Sequence, residues 1–400
     1  MSSAVPDDWG IKLVSEVAYN LDGKRVPLKS TDRANRRGHY RYFGASGVLD
    51  YVDGYIFDGR YILVGEDGEN VLSRNLPLAF IVSGKFWVNN HAHVLKPKDG
   101  VDLEYLCEYL ESLDFSIIAS GSAQPKITQG ELNKVKVIFP PLPEQQKIAA
   151  ILSSVDEVIE KTEAQIQKLK DLKTAMMQTL LTQGIGHTEF KDSPVGRIPV
   201  GWELKSIEEL SSFVTSGSRG WAQYYSDSGA IFIRIGNLTR ENINFRFDDV
   251  VYVNPPNTAE GKRTLVKEGD VLISITADLG VIGVVNSLVG EAYVNQHVSL
   301  VRLDDSGSAR WVGHYLAFED TQKQFIANND GGAKAGLNLP SIRRTLVAMP
   351  SESERNKIVG TLDSIDKSIS EKRRKLATYT NTKKALMQDL LTGKVRVKVN

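Results

Sequence analysis

"PPLPEQQKIAAILSSVDEVIEKTEAQIQKLKDLKTAMMQTLLT", residues 140–182, returns at residues 350–392 as "PSESERNKIVGTLDSIDKSISEKRRKLATYTNTKKALMQDLLT". The two stretches align without a gap at a constant spacing of 210 (350 − 140 = 210). Prolines, acids, bases and apolar positions coincide, among them Pro140/Pro350, Glu144/Glu354, Lys147/Lys357, Asp156/Asp366, Lys173/Lys383 and Leu181/Leu391. A chain that carries one segment twice has two equivalent halves and presents two equivalent surfaces.

In the first copy Ile148, Leu152, Val155, Ile159, Thr162, Ile166, Leu169, Met176 and Leu180 recur at alternating steps of four and three, with Lys173 in the one gap. The second copy repeats the pattern at Ile358, Leu362, Ile365, Ile369, Leu376, Tyr379, Leu386 and Leu390, with Lys372 and Lys383 interrupting. Such a heptad seam predicts one long helix per copy. Pro143 and Glu144 suit a first turn, Ser351 with Glu354 reads as a capping box, and Gly184 and Gly393 fall where a helix ends. About 39 residues at roughly 1.5 Å each make a rod of about 58 Å. A lone heptad helix cannot bury its seam, so each copy predicts the other as its partner in an intramolecular antiparallel coiled coil.

The flanking segments correspond more loosely. "VPDDWG" at 5–10 matches "IPVGWE" at 198–203, "FWVNNHAHVLK" at 86–96 matches "AYVNQHVSLVR" at 292–302, and "GSAQPKIT" at 121–128 matches "GGAKAGLN" at 331–338. β-rich runs such as "YILVGED" and "DVLISIT" precede a helix in each half, then a Gly/Ser loop and a last strand. The expected fold class is α+β: two α/β domains at 1–140 and 185–350, alternating with helical regions at 141–184 and 351–400 in a pseudo-two-fold repeat. Four hundred residues suit this better than one core.

Composition is that of an ordinary globular protein. No apolar run approaches the roughly 18–20 residues of a membrane span, which makes the cytoplasm the expected location. The single cysteine, Cys107, excludes an internal disulfide and is placed on the buried face of a helix. No Cys/His spacing for zinc is present, and no metal is expected. Lys plus Arg number 49 and Asp plus Glu 49, a balance that argues against a nucleic-acid partner until its distribution is considered. Lys24, Arg25, Lys29, Arg33, Arg36, Arg37 and Arg41 stand together, followed by Tyr40, Tyr42 and Phe43.

Two globules joined by a stiff coil suit duplex DNA, whose major groove recurs about every 34–36 Å on one face. Base edges are read by Arg on guanine, by Asn or Gln on adenine, and by Ser or Thr more broadly. "IFIRIGNLTREN" at 231–242 supplies Arg234, Asn237, Thr239 and Arg240 behind a strand, and "SGSRGWAQ" at 216–223 supplies Ser218 and Arg219. In the first half "YRYFGASG" at 40–47 corresponds, with Arg41 and Ser46, and Arg36 and Arg37 lie just before it. Asn89 with His91, and Asn295 with His297 in the matching place, read first as a structural hydrogen-bonded pair, second as a DNA contact and third, with His93, as metal ligands for which no third donor is evident. Gln124 and Lys126 in one Gly/Ser loop, and Lys334 and Asn338 in the other, are candidates to clasp phosphates. Each of these also reads as an ordinary solvated loop.

Enzyme signatures are weak. "NPPN" at 254–257 lacks the fourth-position aromatic that stacks on a flipped adenine, and no G-x-x-x-x-G-K-[ST] loop exists. Glu66 and Asp67 sit in "EDGEN" without the lysine a nuclease pair would use. A self-sufficient adenine methyltransferase and a scaffold without a DNA role remain the alternatives at this level.

Taken together, "PPLPEQQKIAAIL" at 140–152, "KTAMMQTLLTQG" at 173–184, the linker "FKDSPVGRIPVGWE" at 190–203 and the order of domains and helices resemble the specificity subunits of type I restriction-modification systems. The resemblance spans essentially the whole chain, and "PSESERNKI" departs from it by lacking Gln at 355. It implies a non-catalytic reader of double-stranded DNA whose two target-recognition domains each read half of a split, asymmetric site. It also implies two modification subunits bound around the coil and, where present, two restriction subunits. S-adenosylmethionine, ATP and Mg would belong to those partners, with no cofactor held by this chain.

Overall fold

The computed structural model describes residues 5–121, 125–327 and 336–399. The chain forms two compact units, one of residues 1–164 with 373–400 and the other of residues 165–372. Both repeated segments are helical, at Leu142–Leu180 and Glu352–Leu390, 39 residues each. The unit boundaries cut both helices, so each unit holds a globule together with one half of each helix. The helical regions are therefore not bodies of their own. A single heptad helix has no core, and each half-helix buries its seam against the globule and against the half-helix beside it.

Within each unit the two half-helices run antiparallel. In the second unit Lys173 Nζ bonds Asp366 Oδ1 at 2.6 Å and Lys372 Nζ bonds Gln165 Oε1 at 2.6 Å. In the first, Lys383 Nζ bonds Asp156 Oδ2 at 2.7 Å. Lys383 is the repeat of Lys173 and Asp156 the repeat of Asp366, so one ion pair is made twice with the helices exchanged. The lysine that interrupts the hydrophobic seam is thus the seam's polar contact. Ile148, Leu152, Ile166, Ile358, Leu362, Ile365, Ile369 and Leu390 are buried, while Val155, Ile159, Leu169 and Leu376 are half-buried.

The helix starts repeat as well. Trp9 Nε1 donates to Glu144 at 3.4 Å, and Trp202 Nε1 to Glu354 at 3.2 Å. Only half of the expected capping box forms. Ser351 Oγ accepts the Glu354 N–H at 3.3 Å, but the Glu354 carboxylate turns to Trp202, His187 and the Ile185 N–H. Gly184 and Gly393 end the helices at φ +67 and +74, a region that favours glycine.

The globules share one topology. Strand Gly10–Leu13 pairs antiparallel with Lys136–Phe139, as Glu203–Ser206 does with Leu346–Met349. In the first unit a six-stranded sheet runs Ala18–Asn20, Ala92–Pro97, Phe57–Gly65, Ala79–Val88, Arg37–Gly44, Gly47–Val52. Its one parallel pair, Arg37–Gly44 with Ala79–Val88, corresponds to Ala230–Ile233 with Ala292–Val294. Ala79–Val88 is a single strand serving two neighbours, whereas the second unit breaks it into Ile282–Val284 and Ala292–Val294. Residues 285–291 interrupt it, and two four-stranded sheets result. A helix covers each globule: Leu103–Ser112, which buries Tyr105, Leu106 and Leu110, and Ala309–Ala317, which buries Trp311, Val312 and Leu316. Cys107 lies on the buried face of the first, where burial pushes its thiol pKa up and leaves it unreactive.

Candidate nucleic-acid interface

The first unit gathers four chain segments at its strand ends. The buried Asn89 side chain accepts the His91 backbone N–H through Oδ1 at 2.8 Å, folding 89–91 into an Asx turn. The exposed His91 ring meets Asp67 Oδ2 through Nδ1 at 2.8 Å, and since a carboxylate only accepts, Nδ1 carries the proton. Asp67 forms a backbone bridge to Lys126, whose Nζ lies 3.0 Å from Glu66. A Cβ on Gly65 would stand 2.7 Å from the Ala45 carbonyl, so glycine there lets the turn bearing exposed Ser46 approach the same place.

The second unit builds this cluster again with other side chains. Asn295 is buried and accepts the His297 N–H at 3.1 Å, and His297 Nδ1 bonds Thr276 Oγ1 at 2.7 Å. Thr276 bridges Gly336 as Asp67 bridges Lys126. Ser218 bridges Asn295, where a Cβ on neighbouring Gly217 would collide with the Asn295 carbonyl. The Asn295 N–H donates to Ile233, which places Arg234 alongside.

Several expected readers are consumed by the fold. Asn89 and Asn295 hold their own turns. Asn237 is 1% exposed; its Oδ1 accepts the Arg234 N–H at 2.9 Å while Nδ2 donates to the Arg246 and Asp249 carbonyls. It staples the loop and offers no base edge a partner. Asn338 caps helix Leu339–Arg344 by accepting the Ser341 N–H at 2.8 Å, the place Thr128 takes in the first unit. Thr239 accepts the Glu241 N–H at 3.2 Å. Arg240 ties its loop to Asp278 at 3.0 Å and to the Leu279 carbonyl at 2.6 Å. Arg234 pairs with Asp249 at 2.8 Å, and Ser218 Oγ accepts from Arg263 at 2.6 Å. Gln124 and Lys334 lie outside the described residues.

Part of the basic cluster is neutralised within the fold, Arg25 being paired with Glu66. Arg33 pairs with Asp50 at 2.9 Å, and Arg36 with Asp53 at 3.0 Å while lying 4.9 Å over Trp87. Arg41 donates to the Ser83 carbonyl at 2.6 Å. Tyr42 and Phe43 belong to the core instead of flanking a binding surface. Lys24, Lys29 and Arg37 stay exposed, as does Arg219, whose side chain has no partner among the described residues.

One assembly escaped the sequence reading. His93, fully buried, sits 2.6 Å from Asp22 through Nδ1 and 2.9 Å from the Ile127 carbonyl through Nε2. Arg25 bonds Glu66 at 2.6 Å and lies 3.4 Å from Asp22. Burial works against ionisation of both acids, yet His93 on Asp22 and Arg25 with Lys126 on Glu66 hold them below the usual carboxylate range. Asp22, Glu66 and His93 offer donor atoms within 4.8 Å of one another, but cationic side chains already compensate the acids. The cluster ties the strand ends beneath the loops. Its residues are far apart in sequence, and no local spacing announced it.

Comparison with known proteins agrees with this duplicated architecture. The family model described as "Type I restriction modification DNA specificity domain" matches twice, at residues 6–171 and 199–378. A putative type I restriction enzyme specificity subunit of Haemophilus influenzae is 26% identical over 368 residues, covering 90% of this chain and 87% of the relative. The MjaVIII type I specificity subunit of Methanocaldococcus jannaschii is 25% identical over 411 residues, 98% of this chain and 94% of its own length. The solved type I S subunit of M. genitalium has the same fold, with a TM-score of 0.64 at 14% identity over 98% of both chains. A chain from a structure on assembly and conformational transition of the type I system gives a TM-score of 0.54 at 16% identity, covering 98% of this chain and all of that one. Two matches to one domain model, together spanning most of the chain, place this protein in the type I restriction-modification DNA specificity family.

Proposed function

We propose that each unit reads one half of a bipartite, asymmetric DNA site through its loop cluster, and that the chain performs no chemistry of its own. One observation carries this reading. The ion pairs and Trp–Glu contacts that hold the helices are made by the same residues in both units, whereas the loop clusters share a frame and differ in the side chains set on it. Asp67 stands where the other unit has Thr276, and Lys126 where it has Gly336. Constant assembly contacts with variable loops suit a scaffold that docks two like partners and reads two unlike sequences.

Two modification subunits would bind around the paired helices and methylate adenine with S-adenosylmethionine; two restriction subunits, where present, would add ATP- and Mg-dependent cleavage. With Arg25, Arg33, Arg36 and Arg234 paired internally, those partners would supply much of the phosphate binding. Methylome sequencing of a host carrying this chain with its modification partner should return a two-part, non-palindromic motif. A palindrome would count against two unlike readers. The alternative of an autonomous methyltransferase has little support from 254–257, which link strand Tyr252–Val253 to helix Ala259–Thr264, capped by Thr258. Tight S-adenosylmethionine binding by the purified chain would revive it.

A further inference from the structure

The Asn-x-His turns do more than fold the chain: burying their first residue carries the middle one outward. That residue is Asn90 in the first unit and Gln296 in the second, 206 positions apart like the flanking Asn89/Asn295 and His91/His297 (296 − 90 = 206). Both are carboxamides, differing by one methylene. Asn90 is exposed, and its side chain has no hydrogen-bond partner among the described residues. Gln296 is half-buried and donates one Nε2 hydrogen to His297 Nε2 at 2.9 Å. His297 Nε2 therefore accepts, and its Nδ1–H donates to Thr276 Oγ1 at 2.7 Å. What remains on Gln296 is one carbonyl oxygen and one N–H, side by side.

An acceptor beside a donor is what the major-groove edge of adenine engages, its N6 amino group giving to the oxygen and its N7 taking the N–H. The flanking asparagine and histidine are the same in both turns and the facing residues differ, Asp67 against Thr276 and Lys126 against Gly336, while the middle position keeps a carboxamide in both. We propose that Asn90 and Gln296 are equivalent specificity-determining residues, each recognising one adenine in the half-site its own unit reads. The inference rests on the DNA-reading function above and adds to it the side chain by which each unit meets an adenine of its half-site. In the second unit His297 holds the amide at 2.9 Å, a support the shorter Asn90 lacks.

The test uses the complex of this chain with its modification subunits. Methylation of a library randomised at each motif position is compared for wild type, Asn90→Ala, Gln296→Ala and the carboxamide-keeping exchanges Asn90→Gln and Gln296→Asn. Each alanine variant should relax one adenine position, in the first half-site for Asn90 and in the second for Gln296. Discrimination there should fall roughly 5- to 150-fold, with the other positions unchanged. The carboxamide exchanges should keep the adenine preference. The proposal is overturned if the alanine variants lower methylation uniformly with base preferences intact, which is the behaviour of a phosphate contact or of damaged folding. Relaxation at a base other than adenine overturns it too. A wild-type complex that gives no two-part motif would instead remove the DNA-reading function itself, a result distinct from either.

Discussion

At the residue scale, side chains of one chemical type divide by what surrounds them. Asn237 looks in sequence like a reader behind a strand, but it is a buried staple with both amide ends engaged. Asn237→Ala leaves one N–H and two carbonyls without it, and should cost about 1–3 kcal/mol of stability in thermal denaturation. Such a loss would precede any change in sequence preference. His314, fully buried on helix Ala309–Ala317, bonds Asp363 at 2.8 Å, with Arg310 on the same carboxylate at 2.6 Å. Burial lowers the His314 pKa from 6.5 against the pull of Asp363, so the unfolded chain binds more protons once pH drops below about 6.5. Burial opposes ionisation of Asp363, but His314 and Arg310 overcome it and hold its pKa at about 2, so its contribution persists to lower pH and fades between about 4 and 2. Melting temperature should therefore fall on acidification from pH 6.5, and His314→Gln should flatten that limb and also weaken the one below pH 4, because it removes one of the two groups that hold Asp363 ionised.

At the element scale the helices were readable because heptad spacing is local, and 39-residue helices occur where it ran. The seam's charge was not readable: a lysine at a core position means little until its partner is known, and Asp366 lies 193 residues from Lys173. That pair is nearly buried, with side chains 11% and 4% exposed, while Lys383 and Asp156 are more open at 20% and 33%. Removing one partner strands a buried charge. Lys173→Ala should cost about 3–5 kcal/mol and Lys383→Ala less, whereas replacing Lys173 and Asp366 together with apolar residues should come near neutral. Denaturant midpoints of the two singles and the double make the comparison. A double variant as damaged as the worse single would show that the pair does more than fix register. Polar contacts of this kind favour one alignment of a seam over its neighbours.

At the scale of the whole molecule, the chain is two units of one topology that use the same assembly contacts and different loops. Replacing residues 199–349 with the corresponding segment of another family member should change one half of the methylated motif and leave the other as it was. If both halves changed, the units would not read independently. The sequence by itself determined the duplication, the two long helices, their antiparallel partnership and the family, because repeats, heptads and helix ends are written in short-range spacing. Only the tertiary structure decided which asparagines and arginines face outward, that Arg25, Asp22, Glu66 and His93 form one buried network, and that a single strand in one unit is two in the other. Those outcomes depend on which distant segments meet. A polar side chain is a reader or a staple according to whether folding brings it a partner, and no local pattern records that.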